Sequence, residues 1–291
     1  MAQSVTTVPV KRDDSLCSDH FSNIYKKTKT PVILSSVTKN WPARQKWTLE
    51  YLQEGIGDVV VPVYSSLPAK DHSHQHAAAR HITMREYLEM LKNGESNLRL
   101  FFYNILSGAP QLREDFRIPK IGFKFFKRLP VLFVGGRGAK VQMHYDIDLA
   151  DLFLSHFGGR KRVYLFSPEQ TKYLYKVPFS FSSLYDVDIL NPDFERFPAL
   201  KKVKAELAIL EHGDTLYIPS GYWHYIVYDD IGFSLTLRSF PKNIVNLAIV
   251  AKNIFITRTV EGLMRKLIGQ PWNTFNEKRA VEKTNKLLMS E

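Results

Sequence analysis

The stretch GDTLYIPSGYWH, residues 213–224, is the part of the sequence that decides the fold class. Thr215–Ile218 is a short apolar run with the aromatic and β-branched residues of a strand. Pro219 and Gly221 then mark a turn, and His224 follows it. Short strands punctuated by proline and glycine are typical of β-sandwiches and barrels. The stretch therefore predicts an all-β element with a histidine just beyond its turn.

The same pattern extends on both sides of this stretch, from Leu98 to Phe240. Many short strands separated by turns favour a mainly β domain, and a double-stranded β-helix, or jelly roll, belongs to that class. The other strands are predicted at Arg99–Tyr103, Val131–Val134, Lys140–Tyr145, Asp151–Phe157, Arg162–Phe166, Tyr225–Tyr228 and Phe233–Arg238.

The two ends of the chain differ from this central β region. Residues 1–97 mix helical and strand patterns and are predicted to be α/β additions to the barrel formed by residues 98–240. Residues 241–291 form a basic, amphipathic tail, with helices predicted at Ile244–Ile268 and Asn276–Met289. Such helices must pack on the barrel or on a second subunit, so a homodimer through the tail is expected.

Two histidines and one aspartate form the candidate metal site. Side chains alternate across a strand, so His144 and Asp146 project from the same face. If the fold brings His224 to them, the set matches the facial triad of non-haem iron(II) oxygenases, which leaves positions free for a co-substrate and O₂. A buried core histidine and a structural zinc site are the alternatives, although structural zinc sites normally have four protein ligands.

The positive charge of the chain is unevenly distributed. The formal net charge is +11, and the run Arg117–Lys140 contains basic residues interleaved with Phe123, Phe125 and Phe126. Cations beside exposed rings would suit single-stranded nucleic acid. The alternative is an amphipathic turn whose phenylalanines enter the core, as charge runs usually form solvated faces.

Several classes of protein are disfavoured. The single cysteine, Cys17, excludes internal disulfides and cysteine-rich metal sites. No long apolar stretch indicates a leader or a membrane span, so a cytoplasmic protein with no membrane contact is expected. His72, His74 and His76 alternate in a polar, alanine-rich stretch, which is interpreted as a loop rather than a metal site.

Four ordered motifs resemble the JmjC, or cupin-like, hydroxylases. They are HYD at 144–146, GRKRVYLFSP at 159–168, NPDFERFP at 191–198 and the GD, IP and WH pairs within 213–224. Upstream, PVIL at 31–34 and WTLEYL at 47–52 are similar to the same family, so the likeness spans roughly residues 30 to 240. The resemblance implies a jelly-roll enzyme that uses Fe(II), 2-oxoglutarate and O₂.

The resemblance also implies roles for individual residues. His144, Asp146 and His224 would ligate iron, and Lys161 would pair with the distal carboxylate of 2-oxoglutarate. The alternative for Lys161 is a surface lysine of the basic run Arg160–Arg162.

The expected co-substrate pocket departs from the family pattern. In an asparaginyl hydroxylase of this family a tyrosine and a threonine also bind the co-substrate, but the matching positions here are Phe101 and Val141, which donate no hydrogen bond. Arg238 stands where that enzyme has an asparagine, and it is expected to bind a carboxylate. Tyr103, two residues beyond Phe101, is expected on the same strand face, where it would supply the missing hydroxyl.

The resulting hypothesis is an Fe(II)- and 2-oxoglutarate-dependent hydroxylase. A protein side chain is the first choice of substrate, a tRNA nucleoside the second and a small metabolite the third. A non-catalytic cupin-like binding module is the alternative from another functional class, and the changes at Phe101 and Val141 favour it.

Overall fold

The computed structural model describes residues 4–15, 18–66, 77–94 and 97–290 of the chain. The strands in chain order are β1 (Thr6–Pro9), β2 (Val32–Leu34), β3 (Val60–Ser65), β4 (Arg80–Thr83), β5 (Leu98–Asn104), β6 (Val131–Gly135), β7 (Lys140–His144), β8 (Asp151–Gly158), β9 (Lys161–Phe166), β10 (Lys204–Leu210), β11 (Thr215–Ile218), β12 (Trp223–Tyr228) and β13 (Gly232–Ser239). The α-helices are α1 (Ser18–Phe21), α2 (Ala43–Lys46), α3 (Leu49–Ile56), α4 (Met84–Lys92), α5 (Ile105–Gly108), α6 (Ile244–Ala251), α7 (Arg258–Ile268) and α8 (Gln270–Ser290). Short π-helices at Ser22–Lys26 and Lys252–Thr257 and 3₁₀ turns at Pro110–Asp115, Pro168–Tyr173 and Pro198–Lys202 connect them.

The strands form two sheets. The smaller sheet has the order β1-β10-β9-β12-β7, and the larger has the order β2-β11-β8-β13-β6-β5-β3-β4. Between β6 and β13, successive strands alternate between the two sheets except at the step from β9 to β10, and their pairings are antiparallel. This interleaving is a double-stranded β-helix, which confirms the predicted fold class.

The barrel interior is an apolar layer between the two sheets. Val163 and Leu165 on β9, Ile226 on β12, and Leu152 and Leu154 on β8 belong to one buried cluster. Their spacing follows from the period of two along a strand, which sends every second side chain inward. The polar groups described below therefore lie in a largely apolar, water-poor setting.

The N-terminal segment extends both sheets and covers one face. β1 and β2 pair with β10 and β11, and β3 and β4 lie beyond β5 at the edge of the larger sheet. Outside that sheet, Trp47 packs edge-on against Phe157 with ring centroids 5.1 Å apart. Its indole also donates to the buried Asp115 carboxylate at 3.0 Å, so the helical segment is fixed by both packing and a hydrogen bond.

The basic run is an amphipathic segment whose rings mainly face inward. Phe125 is buried, and Phe123 packs against the same core, with their rings 5.1 Å from Phe153. Phe126 alone among the three phenylalanines is classed as exposed, and it contacts Phe240. The core interpretation is thus confirmed for Phe123 and Phe125, because a ring that packs in the core cannot stack on a base.

The tail forms helices on the side of the smaller sheet, and its parts differ in packing. α8 begins earlier than predicted, at Gln270, since Pro271 is tolerated in the first turn of a helix. Ala280 of α8 is buried, and Asn285 accepts a hydrogen bond from the Tyr175 hydroxyl at 2.8 Å. Exposed apolar side chains occur along α6, the π-helix and α7, including Ile244, Phe255 and Leu267.

No helix within the described residues is long and apolar enough to cross a bilayer. Cys17, His72, His74 and His76 lie outside the described residues.

Candidate metal centre

Strand pairing brings the three predicted ligands together. β7 and β12 are antiparallel neighbours, and their register places His144 directly opposite His224. The imidazole centroids are 4.2 Å apart, and Asp146 Oδ1 is 3.8 Å from His144 Nε2. One ligand atom from each of the three residues lies within 4.8 Å of the others. A single divalent ion can therefore contact all three side chains.

The local hydrogen bonds prepare the histidines for metal binding. His144 Nδ1 lies 2.7 Å from the Gln142 carbonyl oxygen, and His224 Nδ1 lies 3.3 Å from that of Tyr222. Since a carbonyl only accepts, Nδ1 bears the proton and Nε2 keeps its lone pair for a metal. Burial, reinforced at His144 by the neighbouring His224, lowers the pKa of both imidazoles. Both are neutral at pH 7, as ligation requires.

The metal-facing carboxylate has its own counter-ion. Arg238 Nη1 lies 3.0 Å from Asp146 Oδ2 and 2.8 Å from Asp148 Oδ2, and Arg238 is 4% exposed. Although burial alone would raise it, Arg238 and the two histidines hold the pKa of Asp146 below its usual range. Asp146 is thus ionised and oriented without a metal.

This geometry corrects the role expected for Arg238. Its Nη1 is already engaged by two carboxylates, and its guanidinium lies 4.9 Å from the centroid of the Phe102 ring. It is therefore a neighbour of the metal ligand rather than a free cation facing the distal end of a co-substrate. The reason is Asp148, which lies in the turn after β7 and binds the same arginine.

Lys161 is a buried cation rather than a surface lysine. It is 0% exposed, its Nζ donates to Ser234 Oγ at 2.5 Å, and it lies 4.0 Å from the centroid of the Tyr228 ring. No carboxylate among the described residues pairs with it, and burial drives its pKa well below the usual value. An unpaired ammonium inside a barrel is costly, and an anionic ligand would remove the cost.

Tyr103 is not on the face where it was expected. Leu100 and Tyr103 pair with Val134 and Leu132, so the two residues between them oppose Phe133 alone. This bulge has Phe102 at a φ of +53°, and it reverses the alternation after Phe101. Tyr103 therefore packs with the outer core beside Gly108, and the expectation that it shares a face with Phe101 is wrong.

The bulge instead lines the barrel with rings. Phe101 and Phe102 both contact Phe133, at centroid distances of 5.6 and 6.4 Å. Val141 is buried in the barrel core, and neither Phe101 nor Val141 carries a side-chain hydrogen-bond donor.

Sequence reasoning missed two polar residues of the site, Asp148 and Arg99. Asp148 lies in the turn after β7, so strand alternation does not place it, although its spacing of two from Asp146 is visible in the sequence. Arg99 precedes Phe101 by two residues in β5, and the same alternation places its side chain on the barrel side.

Replacing Arg238 by methionine is expected to destabilise the metal-free protein far more than the metal-loaded protein. Without Arg238, Asp146 and Asp148 are left as buried carboxylates, and breaking a buried ion pair costs about 3–5 kcal/mol. A divalent ion would offset part of this repulsion. Thermal unfolding with and without Mn(II) measures the difference. Arg196→Met, which breaks the exposed pair with Asp186, is the control, and equal losses with and without metal would contradict the assignment.

Comparison with known proteins agrees with this geometry. A family model described as a cupin-like domain matches residues 18–249. The chain is 30% identical over 251 residues to tRNA wybutosine-synthesizing protein 5 of Gallus gallus, covering 79% of this chain and 76% of that protein. It is also 30% identical over 244 residues to lysine-specific demethylase 8 of Xenopus tropicalis, covering 80% of this chain and 53% of that protein.

A third relative is HSPB1-associated protein 1 of Bos taurus, 26% identical over 219 residues, with 67% of this chain and 45% of that protein covered. The chain thus spans about half the length of the demethylase and of this third protein. Because the family model covers most of the chain and the jelly roll agrees with it, the chain belongs to the cupin-like family of JmjC oxygenases.

Proposed function

We propose that the protein is an Fe(II)- and 2-oxoglutarate-dependent oxygenase that hydroxylates its substrate. The main support is the triad of His144, Asp146 and His224 inside the jelly roll. Two histidines and one carboxylate occupy one face of an octahedral ion and leave three positions for other ligands. The side chains of His144 and Asp146 remain 23% and 17% exposed, so those positions face accessible space.

The donor set fits Fe(II) better than a structural ion. Both Nε2 atoms are free, Asp146 is ionised, and Arg238, which also binds Asp148, holds the Asp146 carboxylate in place. Structural zinc normally has four protein ligands, and the described residues provide three here. When bound, Fe(II) with 2-oxoglutarate and O₂ supplies a two-electron oxidation that converts a substrate C–H to C–OH, with succinate and CO₂ as co-products.

In this proposal the chain's own residues bind and orient the reactants. Lys161 and Ser234 hold the distal carboxylate of 2-oxoglutarate, which supplies the anion that Lys161 lacks. The rings of Phe101, Phe102 and Phe133 contact one another and form an apolar wall beside Arg238.

A protein side chain is the proposed class of substrate. The Xenopus relative is named a lysine-specific demethylase, a protein-directed activity by its name. A tRNA nucleoside is the second candidate, since the Gallus relative is named a tRNA wybutosine-synthesizing protein. The inward position of Phe123 and Phe125 weakens the case for base stacking on the basic run.

The exposed apolar residues of α6 and α7 support the further proposal of a homodimer through the tail.

Anaerobic titration with Fe(II) and 2-oxoglutarate tests the proposed function. A metal-to-ligand charge-transfer band should develop, and succinate should form when O₂ is admitted. Iron binding with neither response would identify a binding module, the alternative that the changes at Phe101 and Val141 favour. RNA binding is measured separately as a function of salt, because phosphate contacts weaken steeply as salt rises.

A further inference from the structure

Arg99 is a third cation of the barrel, and the oxygenase chemistry described above does not use it. It lies on β5 opposite Gly135 of β6. A Cβ on Gly135 would lie 2.8 Å from the Tyr228 ring, so this glycine makes room for the same tyrosine that contacts Lys161. The neighbouring Leu100 faces the outer core, and alternation therefore directs Arg99 to the barrel side.

The bulge places aromatic rings between Arg99 and the metal centre. The Arg99 guanidinium is 5.2 Å from the Phe101 ring centroid, and Phe101 is 6.0 Å from Phe102. Phe102 in turn lies under Arg238, the partner of Asp146. A group bound at Arg99 would thus lie close to the metal.

The two arginines differ in their partners. Arg238 pairs with Asp146 and Asp148, although its Nε lacks a hydrogen-bond partner. Arg99 has no carboxylate partner among the described residues, and both its Nε and its Nη1 are buried without a hydrogen-bond partner. Burial lowers the pKa of Arg99, and the ionisable groups that oppose this effect are the phenols of Tyr228, Tyr185 and Tyr87. Buried donors without acceptors cost about 1–3 kcal/mol each, and more when charged. A ligand with a negative charge would satisfy them.

The charges of the site leave room for one more anion after the co-substrate. A divalent metal and three charged side chains (Arg99, Lys161 and Arg238) carry five positive charges. Asp146 and Asp148 carry two negative charges, so three positive charges remain. The dicarboxylate 2-oxoglutarate cancels two of them, through the metal and Lys161. The charge that remains is assigned to Arg99, which has no carboxylate partner among the described residues and two buried donors without hydrogen-bond partners.

We propose that Arg99 binds a carboxylate of the substrate, so that the oxygenase acts on an acidic segment of a protein. This inference rests on the proposed function. Arg99 Nε and Nη1 are buried beside the Phe101 ring, and a carboxylate at the end of a flexible side chain would supply the acceptor that they lack. A nucleic-acid backbone requires a groove that follows many phosphates, which two buried donors do not provide.

The test uses the full chain loaded with Mn(II) and 2-oxoglutarate under nitrogen. Calorimetry compares the blocked tripeptide Ala-Asp-Ala with its uncharged counterpart Ala-Asn-Ala. The aspartyl peptide should bind about tenfold more tightly, as expected for one charged hydrogen-bonded pair. Arg99→Met should abolish this preference. Arg137→Met, which removes an exposed partner of Asp230, should retain it.

Three outcomes would overturn the inference. The first is equal affinity of the wild-type protein for the two peptides. The second is a loss of 2-oxoglutarate affinity in Arg99→Met as large as that in Lys161→Met, which would assign Arg99 to the co-substrate. The third is Arg99-dependent binding of oligouridylate without binding of the aspartyl peptide, which would assign Arg99 to RNA.

Two further measurements distinguish a structural role of Arg99, and a failure of the proposed function, from a failure of this inference. Since its donors are unsatisfied, Arg99→Met should leave the melting temperature of the ligand-free protein unchanged or raised. A marked fall would identify a structural arginine and contradict the inference. If the wild-type, metal-loaded protein fails to bind 2-oxoglutarate, the proposed function fails instead. The peptide pair with Mn(II) alone then still tests Arg99.

Discussion

Replacement of Asp146 by asparagine should abolish metal-dependent succinate formation and lower the affinity for Fe(II) by about 1,000-fold or more. Loss of a residue that only hydrogen-bonds to a metal ligand typically lowers metal affinity by about 10- to 100-fold. Asp146 supplies the single carboxylate of the triad, and its charge is already fixed by Arg238. An amide in its place gives the divalent ion no negative ligand and leaves Arg238 with Asp148 alone. The readouts are anaerobic Fe(II) titration and succinate release.

Asp148→Asn is the matched control for this substitution. Asp148 shares the same arginine but lies outside the ligand triad, so its loss should weaken metal binding by about 100-fold at most. Bound metal stabilises a folded protein according to its affinity, so Mn(II) should raise the melting temperature of Asp148→Asn but not of Asp146→Asn. If Asp146→Asn still shows metal-dependent stabilisation and turnover, the metal centre is misassigned.

Replacement of Lys161 by methionine should stabilise the ligand-free protein and weaken 2-oxoglutarate binding by about 10- to 100-fold, the range of one hydrogen bond to a charged group. The buried ammonium has no carboxylate partner among the described residues, so an apolar side chain of similar length removes a desolvation cost in the empty barrel. The bound co-substrate then loses its cationic partner. Thermal unfolding and anaerobic binding of 2-oxoglutarate to the Mn(II) form measure the two effects.

The pH dependence provides a second readout for Lys161. Its pKa in the folded protein is depressed, so the unfolded chain binds more protons between the folded pKa and the ordinary lysine pKa. The stability of the ligand-free wild-type protein should therefore rise with pH across that window, and this contribution should be absent from Lys161→Met. Lys140→Met, which changes a half-exposed lysine paired with Asp188, is the control. A destabilised Lys161→Met with unchanged co-substrate affinity would contradict the role.

Much of the fold could be predicted because its signals are local. Turn residues such as Pro219 and Gly221 and the period of two along each strand depend only on neighbouring residues. The same alternation indicated that His144 and Asp146 share a face, and the structure places both of them beside His224. The early start of α8 at Gln270 was missed, since a proline near a turn is equally compatible with a helix boundary.

Other features depend on contacts between distant parts of the chain. Tyr103 was misplaced because a bulge at Phe102 shifts the register by one residue, and nothing local marks such a bulge. Phe123 and Phe125 could be assigned to the core only once Phe153 was seen beside them. Sequence patterns predict on which side of a strand a side chain lies, but not which distant residue packs against it.

The sequence by itself determined the jelly-roll class, the family and the identity of the three candidate ligands, because strand period, turn chemistry and ordered motifs are properties of short segments. Only the tertiary structure decided how the three barrel cations are satisfied. Arg238 is neutralised by Asp146 and Asp148, whereas Lys161 and Arg99 have no carboxylate partner among the described residues. The physical reason is that burial and ion pairing depend on which strands become neighbours, and the free energy of a buried charge depends on both.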